Sequence, residues 1–121
     1  MAKRRKRKKK IDMSELKSRE LAWEYVIENA LTPRERLFYD WAVNPMDKRK
    51  ITVVGRSMGL TKTQSFYTVR KLVSAEVIDV NYILEKGRPY KPDVWENLDE
   101  FGKELKLRMY QQWVKYYQKV V

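Results

Sequence analysis

Apolar positions along the chain recur at three- and four-residue intervals, and capping signals divide them into helices. In Ile11-Asp12-Met13-Ser14-Glu15-Leu16 an aspartate stands three residues before a glutamate, and Ile11 and Leu16 are spaced as a hydrophobic staple. This predicts a helix from about Met13 to Asn29. A second start follows at Thr32, with Pro33 at the first helical position and Glu35 in the capping-box position. That helix should turn Leu37, Phe38 and Trp41 inward and stop near Asn44-Pro45, because proline disfavours helix in the residue before it. After the basic loop 46–50, Thr52 is placed to cap a short helix ending at Gly59. Thr61 then caps another, with Gln64 in the box position.

Beyond residue 77 the period changes. Ile78, Val80, Tyr82 and Leu84 alternate with Asp79 and Asn81, as in a half-buried strand, and Gly87 supplies a turn residue tolerant of positive φ. The return segment 89–95 carries Pro89 and Pro92, which confine it to a sheet edge. The pattern predicts a short two-stranded hairpin beside the helices. From Leu98 to Val121 the helical period returns with two stripes. Leu98, Phe101, Leu105, Met109, Trp113, Tyr116 and Val120 form one, suited to closing a core with Trp23, Val26 and Ile27. Leu107, Tyr110, Val114, Tyr117 and Val121 form the other, at spacings of three and four. Two stripes call for two partners, so the second predicts a homodimer. The alternative is that both are absorbed within one chain.

The expected fold class is therefore mainly α with a small β-hairpin wing. Its organisation is a polybasic tail over 1–11, an N-terminal helix over 12–30, a helix-turn-helix domain with its wing over 31–97, and a C-terminal helix over 98–121 for dimerisation. At 121 residues a second independent core would be hard to fill.

Composition narrows the chemistry. The chain has neither cysteine nor histidine, which removes disulfides, thiolate nucleophiles, the usual zinc ligands and imidazole acid-base catalysis. No Gly-Lys-Ser/Thr loop or metal-ligand cluster stands in their place, so no enzyme, cofactor or metal is expected. No apolar run approaches the ~18 residues of a membrane span, and none serves as a signal peptide. The expected compartment is cytoplasmic, nucleoid-associated, or nuclear in a eukaryote.

Charge points to a polyanion. Net charge is +11, and eight of the 27 basic residues fall in Lys3, Arg4, Arg5, Lys6, Arg7, Lys8, Lys9 and Lys10, leaving 19 basic against 16 acidic residues. Such a run repels itself and is expected to be disordered until it meets its target. Nucleic acid, a targeting or solubilising role and an anionic membrane surface all fit it, the first best. From Lys48 to Ala75 there are seven basic residues and no acidic one. Helix 61–74 is thus the candidate to enter a DNA major groove, with Thr61, Lys62, Thr63, Gln64, Tyr67, Arg70 and Lys71 as contacts. Gln64 suits adenine and Arg70 suits guanine or phosphate. Lys86, Gly87, Arg88 and Lys91 would follow the backbone or minor groove from the wing. Ser65 and Thr68 interrupt the apolar spacing of Phe66, Val69 and Val73, which predicts a buried stripe rotated toward Phe66. If Phe66 instead faces outward, it is placed to touch a base. The many aromatics also invite a single-strand stacking reading, with Tyr67, Tyr82 and Tyr90 the candidates, but most sit at core-like positions.

Residues 31–105 resemble a winged helix-turn-helix domain, most like MarR-type transcriptional regulators. The resemblance rests on Leu31-Thr32 opening the first core helix, on "ITVVGRSMGLTKT" with Gly55 at the helix crossing, on the Gly59-Leu60-Thr61 turn, and on "VRKLVSAEVI". The run Leu98-Asp99-Glu100-Phe101-Gly102-Lys103-Glu104-Leu105 is similar to the family's approach to its C-terminal helix. It implies a dimer presenting two recognition helices to double-stranded DNA half-sites, often with a small anionic aromatic effector for which no residue here marks a pocket. Glu76 stands where that family has glycine, implying a helix end without a left-handed residue. The leading expectation is a sequence-specific regulator of transcription. A replication, packaging or architectural protein, or a winged-helix interaction module within a nucleoprotein machine, is the alternative.

Overall fold

The computed structural model describes residues 17, 19–89, 91–96, 98 and 100–120, with backbone alone at 119 and 120. The polybasic segment 3–10, the Asp12 cap, Tyr90 and Val121 lie outside them. Among the described residues there are seven helices and no strand: α1 (Glu20–Ala30), α2 (Pro33–Val43), α3 (Ile51–Arg56), α4 (Lys62–Ser74), α5 (Val80–Leu84), α6 (Pro92–Trp95) and α7 (Lys103–Val120).

The two capping boxes form as their sequences dictate. Thr32 accepts from the Glu35 amide while the Glu35 carboxylate accepts from the Thr32 amide, and Pro33 takes the first helical position. Thr61 and Gln64 repeat the exchange at the start of α4. Each box satisfies two amides that a helix start leaves without partners, and a cap of this kind contributes about 1 kcal/mol. The helix α3 differs from expectation: it begins one residue before Thr52, behind Lys50, and ends at Arg56. Gly59, at φ 76°, then turns the chain into α4.

Among the described residues the expected hairpin wing is not present. Residues 80–84 form α5, because the Asp79 side chain accepts from the Asn81 amide and starts a helix where the alternation suggested a strand. The return segment, with its two prolines, offers no ladder for a strand to join, whereas a helix satisfies its own backbone. Ile83 is fully buried, whereas Tyr82, placed on the apolar side by the alternation, is 40% exposed.

The core is continuous through all seven helices. α1 lies along α7, burying Val26 and Ile27 against Leu105 and Met109, while Phe38 and Trp41 of α2 meet Val54 of α3 and Val69 and Leu72 of α4. Each such side chain removed from water contributes about 1.5–3 kcal/mol. Thr68 and Ser65 are buried in the same face of α4, and Phe66 is only half-buried at its edge. The expected rotation of the stripe toward Phe66 does not occur. Ser65 and Thr68 bond the carbonyls of Thr61 and Gln64 one turn back, which removes the cost of burying their hydroxyls. Opposite Ser65 stands Gly55, where a Cβ would collide with the serine hydroxyl, so α3 and α4 cross at backbone contact.

The end of α4 also departs from expectation. Glu76 adopts φ 63°, and its amide reaches Val73 O while the Val77 amide reaches Leu72 O. This is the double bond of a Schellman stop, made without glycine.

Candidate nucleic-acid interface

Cations gather where α3, the Gly59 turn, α4 and the segment 88–95 meet. An open groove of about 910 Å³ lies between them. Lys62, Phe66 and Arg70 project into it from α4 at intervals of four residues, a single helical stripe. Lys50 and Arg56 enter from α3 and its approach, and Arg88 and Lys91 from the facing segment. Ile51, Leu60, Val94 and Trp95 contribute the apolar part of the wall. Among the described residues, six cations and no carboxylate line this space.

The residues expected to read DNA separate into three groups. Thr61, Lys62, Thr63 and Gln64 are exposed at the tip of α4, but Gln64 is committed to the Thr61 cap through its backbone amide and its side-chain carbonyl oxygen. Farther along, Phe101 covers the helix: its ring meets Tyr67 edge-on at 4.7 Å between centroids, and the Arg70 guanidinium lies 5.0 Å above it. Ser74 Oγ fastens this covering segment by donating to Leu98 O and accepting from the Gly102 amide, and a Cβ at Gly102 would strike the Ala75 backbone. Tyr67 stays 44% exposed, yet α4 offers its first turn, rather than its whole length, to a partner.

Two expected contacts are structural instead. Lys71 Nζ pairs with Glu35 at 2.7 Å, inside the fold. Lys86 is 4% exposed and donates to Asn44 O and Asp47 O at 2.7 Å each, closing the end of α2 under the Trp41 ring. Burial pushes its pKa down, with Asp47 acting in the opposite direction. Lys86 is therefore unable to follow a nucleic-acid backbone. Arg88 and Lys91 remain on the groove, beyond the turn at Gly87, whose φ is 85°.

Sequence reasoning left Lys50, Arg56 and Trp95 out of the site and offered Phe66 only as the alternative to a core position. The first two sit in the acid-free run, and the four-residue spacing of 62, 66 and 70 was the available sign of the stripe. Behind the site, Glu35 ties α4 to α7. It is 1% exposed, and besides Thr32 and Lys71 it accepts from Arg108 at 3.1 and 2.7 Å. Burial favours the neutral acid, but Arg108, Lys71 and the Thr32 amide outweigh it and hold the carboxyl down to about 2. Among the described residues no cluster of carboxylates is arranged for a metal, and no helix is long and apolar enough to cross a membrane. The chain matches no family model, and no curated protein or solved structure is significantly similar to it.

Proposed function

We propose that the chain binds double-stranded DNA, presenting the first turn of α4 to the major groove and gripping phosphates with the cations around it. The observation that carries this reading is the set of six cations, with no carboxylate among the described residues, beside a capped helix start. Thr61, Lys62 and Thr63 fit phosphate and the edge of a base, and the free amides of a helix start favour anions. The tail 3–10 would add affinity that depends on salt. Because Gln64 is occupied by its cap and Phe101 covers the following turns, few side chains remain to distinguish sequences. The geometry thus favours a phosphate-dominated role in replication, packaging or chromosome architecture over sequence-specific regulation of transcription. The MarR-like order of α2, α3 and α4 supports the same orientation of α4, though without a hairpin.

The test is the binding of random and selected duplexes across a salt series. Replacing Lys62 and Arg88 together by glutamine should lower affinity at least about tenfold and reduce the salt slope by about 2. An unchanged slope would remove the groove from the interface. A selected sequence bound more than about 10³-fold tighter than random DNA would instead establish the regulator.

A further inference from the structure

We infer that the groove beside α4 holds an unpaired stretch of nucleic acid, with its phosphates on the cations and one base against the Phe66 ring. The inference deepens the DNA-binding reading above and rests on the same groove.

The argument begins with shape. A volume of about 910 Å³ lies within the ~300–1,000 Å³ range of clefts that enclose a small organic molecule, enough for one or two nucleotides. A duplex, whose major groove alone is about 12 Å wide, can touch such a groove only along its rim. The exposed tip of α4 is convex and suits a duplex, whereas the space beside it is concave and suits a strand.

Chemistry agrees with shape. A phosphate-only site would be polar throughout, yet Phe66, Leu60, Ile51 and Val94 line this groove between the cations. Phe66 is half-buried, seated against the core on one side and open to the groove on the other. An aromatic ring held in that way is a stacking platform for a base, and its cost of ordering has already been met by folding. Arg70 and Arg88 line the groove from opposite sides. Phosphates of a strand threading between α4 and the 88–95 segment would lie between their positive charges. A duplex cannot deliver a phosphate and an unstacked base to the same cleft without first opening.

The probe is a fluorescein-labelled deoxythymidine strand of about 12 nucleotides, compared with an abasic strand of equal length and with a duplex. Anisotropy at fixed salt is read for the native chain and for Phe66→Leu, which keeps an apolar side chain against the core and removes the ring. The thymidine strand is expected to bind at least about fivefold tighter than the abasic strand, and Phe66→Leu to erase that difference. Arg88→Gln, which removes one cation from the groove lining, is expected to weaken both strands. Equal affinity for thymidine and abasic strands, or a preference that survives Phe66→Leu, overturns the inference while duplex binding upholds the function proposed above. A thymidine preference without duplex binding has the opposite meaning: the groove assignment stands and the duplex reading falls.

Discussion

The Glu35 carboxylate, buried and shared by Arg108 and Lys71, makes folding depend on its ionisation. Its pKa is lowered from 4.5 to about 2. Because the folded value is the depressed one, the stabilisation is complete above about pH 4.5 and is lost as pH falls toward 2, about 3 kcal/mol in all. Urea midpoints measured through that window should fall steeply for the native chain and much less for Glu35→Gln. At neutral pH the same variant leaves two cations facing a neutral amide and should cost about 3 kcal/mol; an unchanged midpoint would mean that the network contributes nothing. Glu76 presents the reverse case. At φ 63° an L side chain strains the backbone by about 1 kcal/mol, and its ion pair with Lys106, at 3.6 Å and exposed, contributes little. Glu76→Gly should therefore raise the Tm by a few degrees in a thermal melt, and a fall would show that the Schellman stop is not strained.

At the scale of elements, two local capping boxes were legible, whereas Thr52 and Asp79 were not read for what they do. Thr32-Glu35 and Thr61-Gln64 specify helix starts within four residues, and both form. Residues 78–84 are too few for their alternation to exclude a helix, and the Asp79 cap decides the matter. The face of α4 was misjudged for a different reason: Ser65 is buried because Gly55, ten residues earlier, leaves room for nothing larger. Charge in the candidate site was visible as an acid-free run. Its groove was not, because the chain brings Arg88 and Lys91 opposite α4 through a turn, without the expected hairpin. Lys86 tests this distinction. A wing lysine would lose affinity for DNA on replacement and keep its stability. Lys86→Met should instead lose about 2 kcal/mol, since Asn44 O and Asp47 O are left without their donor. Chemical denaturation beside duplex titration of the folded variant separates the two outcomes.

For the whole molecule, the open question is what meets the second stripe of α7. Leu105 and Met109 are consumed by α1, while Leu107 is 52% exposed and Tyr110 and Val114 lie bare beside it. Their spacing suits a second α7, as a homodimer requires. Between 36% and 52% of each residue remains to be covered, so burial contributes about 1 kcal/mol per residue, or roughly 6 kcal/mol over two copies. Association itself costs about 4 kcal/mol or more, which leaves a weak pair. The expectation is a chain that is monomeric at low concentration and pairs at higher concentration, or when one DNA molecule holds two copies and raises their effective concentration. Sedimentation across a concentration series should show this shift. Leu107→Lys combined with Val114→Lys should abolish it with little change in Tm, since neither side chain is part of the core. The same variant should lose cooperativity on duplexes long enough for two copies while keeping single-copy affinity. A native chain that stays monomeric at every concentration and on long DNA would show that the stripe of α7 does not pair with itself.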